Sequence, residues 1–297
     1  MLEDAKKQRK RDNFINTPSN IVQSLEEQGL HSYTKLKTLM KKNTYSLPII
    51  NSILTLLVHE GKINEAKKHL LESLVKIENP EERKWIEASY YELEGNFPFA
   101  IKLMNDAITE FDKRFINPTK EELNIKIKLL FQTACIHFRY GQHLYYSSNK
   151  KECVNSFLEA LKYHQHLSEL TDDPSYKMDC SGVFFWLAIL NVNPEENWSK
   201  YIVLAKEALI HNYHSGIQNF DLKRWKSLYS KYYIVAAVSF LIRAYAQLAR
   251  CKSPIERDKL LSEGEFLLAL YTPIDISINS TAYYRYYFNK ACLYFLS

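Results

Sequence analysis

The chain carries 9 histidines, 34 acidic residues and 5 cysteines, the groups with which a protein would do chemistry or hold a metal. Four histidines lie close in sequence: His137, His143, His164 and His166. Zinc needs several convergent ligands, and a helix supplies two of them best at i, i+4. His137 and His143 are six positions apart, and His164 and His166 two, so neither pair shares a helical face. We expect no metal here, only ordinary, partly exposed histidines. Cys135, Cys153, Cys180, Cys251 and Cys292 are odd in number, with no C-x-x-C pair. That pattern implies thiols in a reducing compartment. No H-E-x-x-H, G-x-S-x-G or P-loop motif occurs. The carboxylates spread along helical faces beside basic partners, as in Glu65–His69 and Glu72–Lys76, the pattern of solvated i, i+4 contacts. The expectation is a protein with no catalytic residue, cofactor or metal. A regulatory region serving a catalytic partner on another chain is the enzymatic alternative.

The elements that would position any binding residues are helices. Only 7 glycines and 9 prolines occur in 297 residues, too few for the turns of a β protein or a glycine-rich nucleotide site. Hydrophobic residues at 46% and charged residues at 25% are ordinary for a folded chain. The net charge of +5 is below that of a dedicated nucleic-acid binder. The 21 tyrosines and 15 phenylalanines suit the seams between packed helices. No apolar run reaches the roughly 18 residues of a membrane span, and the polar N-terminus resembles no secretory leader. The expected location is the cytoplasm, with no membrane contact.

Two stretches repeat at a spacing of 34 residues. Gly61-Lys62-Ile63-Asn64-Glu65-Ala66 recurs as Gly95-Asn96-Phe97-Pro98-Phe99-Ala100. Apolar spacing predicts helices from Ser46 to about Glu60, from Asn64 to Ile77, over 81–94 and over 97–114, with Pro80 opening the third. Residues 47–80 and 81–114 resemble tetratricopeptide (TPR) repeats. Gly61, Ala66 and Ser73 match that pattern in the first copy, and Ala88, Gly95, Ala100 and Ala107 in the second. A third copy over 134–167 keeps Gly141, Cys153, Phe157 and Ala160. Ser148 stands there for the turn glycine, and some 19 extra residues (115–133) lengthen its first helix. Beyond 170 the match fades. Helices are expected at 176–191, 195–211, 222–250, 254–271 and 281–296.

The resemblance implies an all-α, right-handed α-solenoid of TPR-like helical hairpins. One hairpin cannot bury both faces of its helices, so neighbours stack. The expected division is 1–45, a basic tail and short helices; 46–170, the repeats; and 171–297, degenerate hairpins with a capping helix. By the same resemblance the first helices line a concave groove for a protein or peptide. Its residues would be Asn51, Thr55, Trp85, Ser89, Glu92, Phe138, Gln142 and Tyr145. These supply few of the convergent cations that a carboxylate clamp needs, so the groove reads as aromatic and polar-neutral. Trp85 and Phe138 also fit as seam residues. Two alternatives carry a different partner. One is a bacterial TPR-type intracellular peptide receptor regulating transcription, with Lys35, Lys37, Lys41 and Lys42 as its basic face. The other is an RNA-binding helical-repeat protein, since 43–66 also resembles a pentatricopeptide unit. The run Lys6-Lys7-Gln8-Arg9-Lys10-Arg11 is a solvated tail, a nuclear-import signal or a nucleic-acid arm. The tyrosine-rich C-terminal helix (Tyr283, Tyr284, Tyr286, Tyr287) is apolar most of the way round and is a candidate self-association surface.

Overall fold

Short caps and prolines set where each helix begins. The computed structural model describes residues 47–147, 149–171, 174–213, 231–271, 287–288 and 290–295. The expected N-terminal helices, the basic runs of the first 45 residues, Ser148, the start of the 222–250 helix and Tyr283–Tyr286 lie outside the described residues. In chain order the helices are α1 (Leu47–His59), α2 (Ile63–Leu74), α3 (Pro80–Leu93), α4 (Phe97–Arg114), α5 (Lys120–Tyr146), α6 (Lys150–Thr171), α7 (Pro174–Ile189), α8 (Pro194–Tyr213), α9 (Lys231–Ala249) and α10 (Pro254–Tyr271). Residues 287–288 and 290–294 are also helical. The described residues contain no strand, so the chain is all-α there. No described helix is long and apolar enough to cross a membrane.

Proline fixes the first φ of a helix and lacks an N–H that would go unpaired there. It opens α3, α7, α8 and α10. At α3 the Asn79 side chain also accepts from the N–H of Glu81 at 2.9 Å and of Glu82 at 3.3 Å. A reciprocal capping box opens α5. The Glu122 N–H donates to Thr119 Oγ1 at 3.3 Å, and the Thr119 N–H donates to Glu122 Oε2 at 2.7 Å. The extra residues before the third copy do lengthen its first helix: α5, at 27 residues, is more than twice the length of α2, at 12.

Two compact units divide the chain, Met1–His143 and Leu144–Ser297, and the division falls inside α5. In the first unit α1 packs on α2 and α3, α2 on α3, and α3 on α4. One core cluster joins Ile50, Ile53, Leu54 and Leu57 of α1 to Ala66 and Leu70 of α2 and Ile86 and Tyr90 of α3. A second joins Trp85 and Ala88 of α3 to Ala100, Met104 and Phe111 of α4 and Leu129 and Ile136 of α5. The small residues of the repeat lie in these seams: Ala66, Ala88, Ala100 and Ala107 are fully buried, and Ser73 nearly so. A methyl group there lets helix axes approach, and a larger side chain would hold them apart.

In the second unit each helix packs on the next, from α6 through α10. Its core is aromatic. Phe185 stands 5.0 Å from Phe240 and 5.3 Å from both Trp198 and Tyr201, centroid to centroid, while Trp186 stacks on Phe157 at 5.7 Å. His164 differs from the expectation of a partly exposed histidine, and His69 from that of a solvated partner of Glu65: they are buried, at 3% and 4% exposure. His69 follows Ala66 on the buried stripe of α2, so it is a core residue and not the solvated partner of Glu65.

Candidate functional site

Three helices of the first unit carry the residues expected to bind a partner. On α3, Trp85, Ser89 and Glu92 follow i, i+4, i+7 spacing and share one face. On α1, Asn51 and Thr55 are one turn apart, and α1 packs on α3. On α5, Phe138 and Gln142 are also one turn apart.

Asn51, Thr55, Trp85 and Ser89 are buried, each at 9% exposure or less. Phe138 and Gln142 are half-buried. Tyr145 belongs to the second unit, is exposed, and meets Trp186 edge-on at 5.3 Å. Trp85 lies within the core cluster of α3, α4 and α5, which makes it a seam residue as well as a site residue.

Glu92 is the electrostatic centre of this face. Its carboxylate takes both arms of the Arg139 guanidinium, Nε on Oε1 and Nη2 on Oε2, the second at 2.8 Å. Gln132 Nε2 reaches Oε2 at 3.4 Å. A two-point pair of this kind is among the stronger and more geometrically exact polar contacts. Burial raises the Glu92 carboxyl above its ordinary value, and the Arg139 charge pulls it part of the way back. Because the pair is buried and mutually neutralised, it presents no net charge to a ligand. Removing either partner alone would leave a buried, uncompensated charge.

On the same three helices, four buried polar atoms have no hydrogen-bond partner: Asn51 Oδ1, Trp85 Nε1, Ser89 Oγ and Gln132 Oε1. Thr55 differs, because its hydroxyl donates to the Asn51 carbonyl at 2.8 Å. An unmet buried donor or acceptor costs on the order of 1–3 kcal/mol. All four residues are buried, so these atoms lie beneath the face and not on it. No group of three or more possible metal ligands occurs among the described residues.

Gln132 and Arg139 were not among the expected site residues. A signal for them does exist in the sequence. Both stand in the largely apolar stretch from Leu129 to Tyr140, which they share with Thr133 and His137, and they lie seven positions apart, on one helical face. His164 sits on α6, where burial lowers its pKa to about 3 and keeps the ring neutral.

No family model matches the sequence, and no curated protein matches it. Among solved structures, BtubC (BKLC) from P. vanneervenii is similar at 14% identity, over 89% of this chain and 93% of that one, with a TM-score of 0.42.

Proposed function

We propose that the chain is a non-enzymatic, TPR-like α-solenoid scaffold that binds a protein or peptide partner on the shared face of α1, α3 and α5. The observation that carries this reading is the residue pattern of that face: Trp85, Ser89 and Glu92 share one side of α3, and Phe138 and Gln142, one turn apart on α5, are half-buried and so within a partner's reach. The recurring hairpin turns at Gly61 and Gly95 support the repeat architecture. A reducing, cytoplasmic setting agrees with an exposed thiol at Cys251 and buried thiols at Cys135, Cys153 and Cys180.

The test is capture from native lysate with the full chain and with the double variant Asn51→Ala/Gln142→Ala. Both positions are polar, and neither is a large core side chain, so the fold should survive. A melting curve within a few degrees of the parent establishes that. The expected result is a specific chain bound by the parent and lost by the variant. Equal capture by a folded variant would overturn the placement of the binding face.

A further inference from the structure

Arg243, on α9 of the second unit, stands apart from the other described arginines. Arg83 donates to the Ile77 carbonyl and Arg250 to the Gln247 side chain. Arg114, Arg139 and Arg257 meet Glu81, Glu92 and Asp258. Among the described residues Arg243 alone of the arginines makes neither a hydrogen bond nor an ion pair; its contacts are with aromatic rings. Its Cζ lies 5.8 Å from the centroid of Phe185, on α7, and 5.8 Å from that of Phe288, in the last helical stretch. Ring faces attract a cation, but they leave its N–H groups without acceptors.

The two ends of the guanidinium differ. Nε is buried without a partner, whereas neither Nη is among the buried atoms, so the terminal fork opens to solvent. Phe288 is itself 58% exposed. An open fork beside an exposed ring is a polar contact and an apolar one side by side.

The surrounding elements supply no carboxylate to that fork. The 19 residues of α9 include no Asp or Glu, and residues 281–297 include none. On α7 the one acid is Asp179, six positions before Phe185 and 3.9 Å from His164. On α8 and α10, Glu195, Glu196, Asp258 and Glu263 meet Lys252, Lys200, Arg257 and Lys206. A planar guanidinium end matches the two oxygens of a carboxylate with two parallel N–H donors. A phosphate dianion would call for a second cation, and Lys290, two positions past Phe288, lies over the Tyr294 ring instead.

We propose that Arg243 and Phe288 form a binding site for a small apolar carboxylic acid, its carboxylate on the Nη fork and its apolar body against the Phe288 ring. The site needs nothing from the α1, α3 and α5 face, so either proposal stands if the other fails.

Phenylacetate is the direct probe, titrated into the full chain by ligand-observed NMR beside acetate, phenylethanol and phenethylamine. Saturable, roughly millimolar binding of phenylacetate is expected, as for a ligand of so few atoms. The alcohol and the amine should be weaker by at least about tenfold, the worth of one charge-assisted contact. Acetate, which lacks the ring, should be weaker by about threefold. Arg243→Met should weaken phenylacetate by about tenfold, and Arg243→Lys, which keeps the charge but not the fork, should restore only part of that. Phe288→Ala, at an exposed position, should weaken phenylacetate about threefold and leave acetate unchanged. That variant decides the matter even if the Arg243 variants do not fold. The proposal is overturned if phenylacetate shows no saturable binding or if the amine or the alcohol binds as well. It is overturned too if a folded Arg243→Met, or Phe288→Ala, binds phenylacetate as the parent does.

Discussion

The hairpins of the first unit and the α7–α8 hairpin of the second close with the same hydrogen bonds but different residues. At the first turn the N–H of Gly61 donates to Val58 and that of Lys62 to Leu57. At the second Gly95 donates to Glu92 and Asn96 to Tyr91. At α7–α8 Asn191 donates to Ala188 and Val192 to Leu187. Each is the paired capping pattern that ends a helix on one residue of left-handed backbone. Gly61 and Gly95 hold φ of +72° and +83°, and Asn191 holds 61°. The cores differ as well. In the first unit alanines sit among both aliphatic and aromatic side chains, Trp85, Phe97 and Phe111 included, whereas the second gathers its rings around Phe185. The comparison teaches that backbone geometry is kept where the residues that encode it have changed.

The largest expected effect tests the aromatic core. Phe185 is 6% exposed and packs edge-on or tilted against Trp198, Tyr201 and Phe240, two rings from α8 and one from α9. Phe185→Ala removes the one side chain common to those contacts and should cost about 3–5 kcal/mol. Hydrogen exchange resolved by segment is the readout. Protection should fall across α7, α8 and α9, while α1–α4 keep theirs. Uniform loss over the whole chain would show that the two units unfold as one.

A smaller effect separates the units by pH. Burial on α6 lowers the His164 pKa from 6.5 to about 3, and Asp179, 3.9 Å from Nδ1, does not offset it. A histidine that stays neutral when folded but protonates when unfolded stabilises the fold fully above its unfolded pKa. That stability is lost as pH falls from about 6.5 toward 3. Between pH 7 and pH 5 the loss should be about 2 kcal/mol. Exchange at α6 and α7 should quicken over that interval, and His164→Met should flatten the dependence. An unchanged profile in the variant would locate the acid sensitivity elsewhere.

The first unit was legible because each of its signals is carried by one residue type. Gly61 and Gly95 mark left-handed turns, Pro80 marks a helix start, and alanines mark the seams, so the boundaries of all four helices α1–α4 fall within a few residues of the expected ones. The α7–α8 hairpin was expected as a pair, but not as a copy of the same turn. Asn191 takes the left-handed region at modest cost because its side chain is short and polar, but asparagine serves in other turns as well, so it marks this one less sharply than glycine does. Asn193, at φ 39°, and the Asn197 amide, which donates to the Val192 carbonyl at 2.6 Å, complete a turn with no glycine. The site shows the same limit. Trp85, Ser89 and Glu92 were readable as one face of α3, but the partner of Glu92 lies 47 residues away at Arg139, and only packing brings them together. The Lys206–Glu263 contact spans 57 residues and was invisible for the same reason.

The finest test of the comparison exchanges the turn residues themselves. No atom lies within 4 Å of a Cβ built on Gly61 or Gly95, so a side chain there meets no clash and the cost is conformational alone. Gly95→Ala should therefore lose about 1 kcal/mol, the penalty of left-handed backbone for an L-residue. Gly95→Asn should lose clearly less, because asparagine tolerates that region. At the α7–α8 turn the same ranking should hold from a different starting residue: Asn191→Gly near neutral, and Asn191→Ala down by about 1 kcal/mol. Urea unfolding of the four variants, each with an unchanged slope, measures these differences. If Asn191→Ala were as stable as the parent, the left-handed turn would not be what ends α7, and the likeness between the two hairpins would be one of hydrogen bonds only. If Gly95→Asn cost as much as Gly95→Ala, glycine would be needed at that turn for its flexibility rather than for its sign of φ, and asparagine would not be its equivalent at Asn191.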